Sequence, residues 1–245
     1  MTKPDDGKEP VTEVLKGMYA KMDEIIVEVS KQANATCKKG CAFCCELLTL
    51  ITLPEALLIA EHMLTDTDWR ATLPKLAKAA KDNSFVGLTR VSYGERRIRC
   101  AFLGEDNLCT IYEQRPVCCR AHVVISDPSL CELKPENKNV QTSAINFLEF
   151  EGRVWEFARD VEKELGFRSR MGFMTAPIPI MVLAALYEIS KDEPEVHAEI
   201  KVACRGVPNP AQWLDKYGFV LAMEPSGIEQ KVVDQITQIS KRIVR

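Results

Sequence analysis

The sequence lacks the long apolar segments that membranes and secretion require. None of its hydrophobic runs reaches the roughly 20 residues that span a bilayer, and the first ten residues are polar, without the apolar stretch of a secretory signal. Positive charge is not in excess, because 32 lysines and arginines face 35 aspartates and glutamates, for a net charge of −3. These absences predict a cytoplasmic protein with no membrane partner and no basic surface for nucleic acid.

Motifs of the common enzyme classes are missing as well. The twelve glycines are scattered, so no glycine-rich loop follows a strand to cradle a nucleotide phosphate. No nucleophile with a matching base, and no pair of carboxylates in a hydrolase pattern, stands out. The chain offers no recognisable catalytic constellation, so whether it is an enzyme stays open.

What the sequence has in abundance is cysteine, with ten residues in 245. Four of them lie within residues 37–45 and four within residues 100–119. In a reducing cytosol, ten cysteines are not expected to form five disulfides. Thiolates at turn spacing are instead the ligands that zinc and iron–sulfur clusters need. We therefore predict a metal centre with ligands from Cys37, Cys41, Cys44, Cys45, Cys100, Cys109, Cys118 and Cys119.

The rest of the chain has the pattern of a mainly α-helical protein with a small β-hairpin. Apolar residues at helical spacing predict an amphipathic helix over about residues 11–33. The capping box from Thr52 to Glu55 predicts a helix through Met63, followed by one over about 68–81 that Pro74 kinks or splits. Later helices are predicted over about 140–150, 154–165, 178–189, 209–218 and 227–243.

Residues 85–112 show the alternation of the hairpin. A turn centred between Gly104 and Glu105 would place Cys100 directly across from Cys109, with Cβ atoms about 4.5–5.5 Å apart. That separation would let the two thiols share one metal ion or cluster.

A helix is then permitted from Pro116, which places Cys118 and Cys119 in a first turn. There the helix dipole lowers thiol pKa values and favours thiolate. His122 follows as a candidate neighbour or ligand, whereas Cys131 and Cys204 lie outside the clusters and are interpreted as ordinary thiols.

Three segments follow from this pattern. Residues 1–34 form an N-terminal helix that packs on the core, residues 35–131 a metal-binding domain, and residues 132–245 a helical C-terminal extension docked on the same core.

The cysteine spacing resembles that of the YkgJ-type cysteine-cluster family. The shared motifs are C-x3-C-x2-C-C at residues 37–45, C-A-F-L at 100–103 and C-T-I-Y-E-x-R-P-x-C-C-R at 109–120. Many members have proline where this chain has Ala101. The resemblance covers about residues 35–122 and implies chelation of zinc or iron by the eight cysteines, with no settled reaction. The flagellin lysine methylase carries a similar cluster, so a methylase role follows by analogy only.

A second resemblance competes for the first motif. C-x3-C-x-F-C at residues 37–44 also looks like the signature of radical S-adenosylmethionine enzymes. That family places its motif after the first strand of a β/α barrel, whereas here an amphipathic helix precedes it. The second group of cysteines is also unexplained by that interpretation.

The metal is predicted from the same spacing. The C-x3-C-x2-C tract suits three corners of a [4Fe–4S] cluster, with a fourth thiolate from Cys100, Cys109, Cys118 or Cys119. Only Cys41 and Cys44 have the C-x2-C spacing of a zinc knuckle. We therefore favour an iron–sulfur cluster over zinc.

Three functions remain open from the sequence. The first is a metal-binding protein of unassigned activity. The second is an S-adenosylmethionine-dependent enzyme, either lysine methylase-like or radical. The third is a module with a structural metal that binds an unknown protein partner.

Overall fold

The computed structural model describes residues 10–65, 68–83, 96–132, 147–164 and 175–213, without the side chains of residues 147–151, 164, 211 and 213. Its elements are helix α1 (Val11–Gln32), strand β1 (Leu50–Thr52), helices α2 (Leu53–Thr65), α3 (Trp69–Asp82), α4 (Val117–Arg120) and α5 (Phe147–Glu164), strand β2 (Thr175–Pro177), and helices α6 (Ile178–Ile189), α7 (Pro194–Ala203) and α8 (Pro210–Trp213). Short 3₁₀ turns occupy Phe43–Glu46, Tyr112–Gln114 and Pro128–Cys131. The prediction of a mainly helical protein is confirmed.

The core is built around α2 and α6, which pack on each other. Both helices are apolar on nearly all sides, as expected for helices surrounded by other elements. α3 and α7 pack on this pair, so helices from the C-terminal part of the chain share one core with helices from the N-terminal part. The division at residues 34 and 131 stays a prediction. No helix among the described residues has the length and apolar character needed to cross a membrane.

α1 contributes a second, smaller cluster of apolar contacts. Its buried residues recur at helical spacing, as predicted, and pack against Leu58 of α2 and Val117 of α4. This contact sets the position of α4, which carries two of the clustered cysteines. The buried face of α1 consists of Thr12, Leu15, Tyr19, Met22 and Ile26.

β1 and β2 form a two-stranded antiparallel sheet that the sequence analysis did not predict. Leu50 pairs with Pro177, Ile51 with Ala176 and Thr52 with Thr175, and each strand runs directly into a helix. Strands of three residues are too short to show alternation, and they pair across more than a hundred residues of sequence. Nothing in the local pattern could have identified them.

The predicted hairpin register is wrong. The described residues 96–112 contain one isolated bridge, between Leu103 and Cys109. The loop is wider than expected because the Asp106 side chain accepts a hydrogen bond from Leu108 N–H (3.0 Å) and Asn107 has a left-handed φ of 62°. Cys100 therefore lies beyond the paired residues and does not face Cys109.

The helix predictions had mixed outcomes. Residues 178–189 are helical as predicted, and Asn209 caps α8 by accepting a hydrogen bond from Gln212 N–H (2.9 Å). α3 continues through Pro74 as a single helix, and α5 is one helix where two were predicted. α7 was missed because Pro194 was interpreted as part of a connecting segment, although proline is well suited to a first helical turn. The predictions for residues 85–95, 140–146 and 227–243 lie outside the described residues.

A buried carboxylate connects three of these elements. Glu55 is 2% exposed and accepts hydrogen bonds from Thr52 N–H (2.8 Å) and Thr52 Oγ1 (2.9 Å), which begins α2 in the predicted capping-box manner. Its other oxygen accepts from Tyr19 OH on α1 (3.0 Å) and from Val117 N–H at the first residue of α4 (2.9 Å). One side chain thus caps both α2 and α4 and joins them to α1.

Arg120 strengthens the same junction. Its guanidinium is 3% exposed, pairs with Asp23 of α1, donates from Nε to Arg115 O (2.8 Å) and lies 4.1 Å from the centre of the Tyr19 ring. Burial and the neighbouring Glu55 carboxylate raise the pKa of Tyr19 well above its usual value, so its hydroxyl stays protonated and keeps donating.

We expect Glu55→Gln to lower the free energy of unfolding by about 2–3 kcal/mol, because two of the four buried donors, one of them a backbone N–H, would then face an amide NH₂ instead of a carboxylate oxygen. Glu61→Gln, on the exposed side of the same helix, should change it by less than about 0.5 kcal/mol. Urea unfolding followed by circular dichroism measures both. Equal stabilities of the two variants would contradict the role given to Glu55.

Candidate metal centre

The first cysteine tract is a run of tight turns. Cys41 N–H donates to Lys38 O (3.0 Å), Cys45 N–H to Ala42 O (3.0 Å) and Leu47 N–H to Cys44 O (3.1 Å). Gly40 has a φ of 82°, a left-handed conformation that glycine adopts without strain. The turns therefore hold four cysteines within a short length of chain.

The second group is joined to the first by the backbone. Cys100 N–H donates to Cys45 O (2.9 Å), so the two tracts are neighbours although they are far apart in sequence. Cys109 follows on the far side of the loop, paired with Leu103. Cys118 and Cys119 lie in the first turn of α4, as predicted, where Glu55 and Arg120 hold that helix.

These cysteines surround one cavity of about 700 Å³. Cys118 is the exception, because its thiol contacts Leu50 O at 3.8 Å and does not line the cavity. The cavity is lined by seven of the eight predicted ligands: Cys37, Cys41, Cys44, Cys45, Cys100, Cys109 and Cys119.

The donor chemistry around the cavity fits a thiophilic metal. Among the described residues, the lining contains cysteines and His122 but no aspartate or glutamate. Within the ranges that the structure describes, however, no three side chains of His, Cys, Asp or Glu are close enough to hold a metal ion together. The thiols would have to move toward one another to ligate, so the assignment of individual ligands stays a prediction.

Several of these thiols have raised pKa values, which favour the protonated form. Burial raises the pKa of Cys100 to about 12 and also raises that of Cys109. The pKa of Cys44 is raised by its hydrogen bond with Cys45, and that of Cys119 by its hydrogen bond with Cys118; burial adds to both. The prediction that the helix dipole lowers the pKa of Cys119 is therefore wrong. A metal would have to displace these protons on binding.

Positive side chains share the cavity with the thiols. Arg99 donates to Gly104 O (3.1 Å) and Asn107 Oδ1 (2.6 Å), which ties it to the loop before Cys109. Arg115 lies over the Tyr112 ring at 3.8 Å, and its charge acts to lower the pKa values of Cys44 and Cys109 against the larger effect of burial. The cationic residues of the lining are Lys38, Lys39, Arg99 and Arg115.

Cys131 is closer to the centre than the sequence suggested. Its 3₁₀ turn packs against Phe43–Glu46, and Arg97 pairs with Glu132 (2.9 Å) while approaching Glu46 at 4.0 Å. Burial, together with the nearby thiols of Cys44, Cys37 and Cys41, raises the pKa of Cys131 to about 11. It does not line the cavity. No local sequence pattern indicates that Cys131 lies near the first cysteine tract, because only the path of residues 123–132 brings the two together.

That path is set by backbone contacts to the start of the first tract. Thr36 N–H donates to Val124 O (2.9 Å), and Val124 N–H donates to the Cys37 sulfur (3.4 Å). Cys204, by contrast, lies 3.8 Å from Leu183 O at the packing of α7 on α6, which agrees with an ordinary core thiol.

The fold and the site together define a helical, cysteine-rich domain whose thiols are gathered around one cavity. Residues 36–146 match the model of the CxxCxxCC family, described as a "Putative zinc- or iron-chelating domain". The match agrees with the resemblance that the cysteine spacing indicated, and the matched residues contain all eight clustered cysteines. No curated protein and no solved structure matches the chain.

The turn at Gly40 gives a test of how the first tract is held. We expect Gly40→Ala to lower the free energy of unfolding by about 1–2 kcal/mol, because alanine is strained at this positive φ. Gly17→Ala, in the exposed middle of α1, should instead raise it by about 0.5–1 kcal/mol. Thermal and urea unfolding of the metal-loaded proteins compares them. A stabilising effect at both positions would contradict the turn conformation.

Cys119 lines the cavity and Cys118 does not, which predicts different roles for the two thiols. Cys119→Ser should lower bound metal per chain at least about twofold, because it replaces a cavity-lining thiol with a poor ligand for soft metals. Cys118→Ser should retain the wild-type metal content and its contact with Leu50 O. Elemental analysis of the purified proteins decides between them. Loss of metal in the Cys118 variant alone would reverse the assignment.

Proposed function

We propose that this protein is a metal-binding protein in which the cavity-lining cysteines hold an iron–sulfur cluster. The observation that carries the proposal is the gathering of seven cysteines from three stretches of chain around one cavity, with no carboxylate among the lining residues that the structure describes. Cysteine thiolates favour zinc and iron–sulfur clusters over magnesium, calcium or manganese. The family match, to a zinc- or iron-chelating domain, supports the same chemistry.

Two arguments favour a cluster over a single zinc ion. Cys37, Cys41 and Cys44 have the spacing of three corners of a [4Fe–4S] cube, and Cys100, Cys109 or Cys119 supplies the fourth. Zinc needs four sulfurs about 2.3 Å from one point, whereas the thiols here are spread around a wide cavity. A four-iron cluster spans more space than one ion, so less movement of the chain is needed to reach it.

The bound centre also acts as a cross-link. It joins residues 37–45 to residues 100–119, which the backbone already holds together through Cys100 and Cys45. Metal binding therefore contributes to folding free energy. The alternative in which residues 132–245 act as a separate partner-binding module gains no support from the packing of α6 and α7, because they share the core of α2 and α3.

We expect protein purified without oxygen to be brown, with broad visible absorption and acid-labile sulfide in proportion to its iron. Metal analysis, sulfide assay and absorption spectroscopy measure this directly. Colourless protein with one zinc per chain would overturn the choice of cluster while leaving the cysteine site intact.

The ligand set is tested by matched serine variants. Cys41→Ser and Cys109→Ser should lower bound iron and weaken resistance to thermal unfolding, because each removes a thiol of the cavity. Cys204→Ser, which changes a core thiol between α6 and α7, should keep the wild-type iron content. Full iron in Cys41→Ser together with loss in Cys204→Ser would show that the site lies elsewhere.

A further inference from the structure

The cavity is larger than a metal centre requires. Its volume of about 700 Å³ lies within the range of about 300–1,000 Å³ that is typical of small-molecule sites. It corresponds to more than twenty times the roughly 30 Å³ that one water molecule occupies in the liquid. A centre held by the cysteines would occupy the side of the cavity that carries the thiols, whereas other segments line the rest.

Part of the lining has no use in metal binding. Apolar side chains reach it from the chain after the first cysteine tract, from α3 and from the start of α6. None of them can ligate a metal, but together they form the kind of surface that accepts a hydrocarbon body. They include Leu47, Leu48, Leu76, Ala79, Ile178 and Pro179.

The charge of the lining has one sign. Four of its residues are lysine or arginine, and none of the described lining residues is aspartate or glutamate. Arg115 lines the cavity beside the clustered cysteines, and its guanidinium lies over the Tyr112 ring at 3.8 Å. A ligand carboxylate could form charge-assisted hydrogen bonds with this guanidinium.

We propose that the cavity binds a small organic anion with an apolar body, such as a medium-chain carboxylate, beside the metal centre. Its carboxylate is held by Arg115 and its body by the apolar lining. The inference rests on the proposed function in placing the metal among the cysteines of the same cavity.

Decanoate is a suitable probe, with decanol and decyltrimethylammonium as neutral and cationic controls of equal chain length. Calorimetric titration uses the full chain in its metal-loaded form. We expect decanoate to bind at least about tenfold more tightly than either control, since only it can pair with the guanidinium. Arg115→Gln should remove that preference.

The position of the ligand site is tested by tryptophan substitutions that fill the apolar side of the cavity. Pro179→Trp, at the second residue of α6, should lower decanoate affinity at least about tenfold while leaving metal content unchanged. Leu48→Trp repeats the test from a different segment, outside any helix. Glu188→Trp, exposed near the other end of α6, should bind decanoate as the wild type does.

The outcomes separate the two proposals. Equal affinity for all three probes, no decanoate binding, or unchanged affinity in both Pro179→Trp and Leu48→Trp would overturn the ligand site, even if iron is present. Selective decanoate binding by a chain that holds no metal after reconstitution would overturn the proposed function and leave the ligand site standing.

Discussion

The buried carboxylate of Glu55 is the constraint on which this arrangement depends. A charge taken out of water must be fully hydrogen-bonded, and Glu55 of α2 meets that demand with donors from α1, β1 and α4 at once. α4 has a single turn and could not hold its position alone. Glu55 caps α4, and Arg120 of α4 pairs with Asp23 and packs on Tyr19 of α1. These contacts fix α4, and with it Cys119, to α1 and α2.

The cysteine sides of the cavity are supported unequally. Cys119 lies on this braced helix, whereas Cys37 is exposed and Cys41 and Cys44 lie in turns closed by single backbone hydrogen bonds. Turns of this kind adjust more readily than a helix packed into a core. We therefore expect the cysteines of residues 37–45 to make most of the inward movement that metal ligation needs. The bond from Cys100 to Cys45 O limits that movement at one end.

Much of the fold was readable from local patterns. The periodicity of α1, the capping box before α2, the prolines at the starts of α4 and α8 and the extent of α6 all depend on neighbouring residues, and all were predicted. The grouping of the cysteines was equally local, which is why the family could be recognised from spacing alone.

The chain's own order of residues determined that this is a helical protein with eight clustered cysteines. Only the tertiary structure decided which of them share a cavity. In that structure Cys118 does not line the cavity, Cys131 lies near the thiols of the first tract, and Cys109 pairs with Leu103. Apolar residues of α3 and α6 line the same cavity as the thiols. The physical reason is that spacing governs contacts between near neighbours, whereas the walls of a cavity are set by packing between segments far apart in sequence.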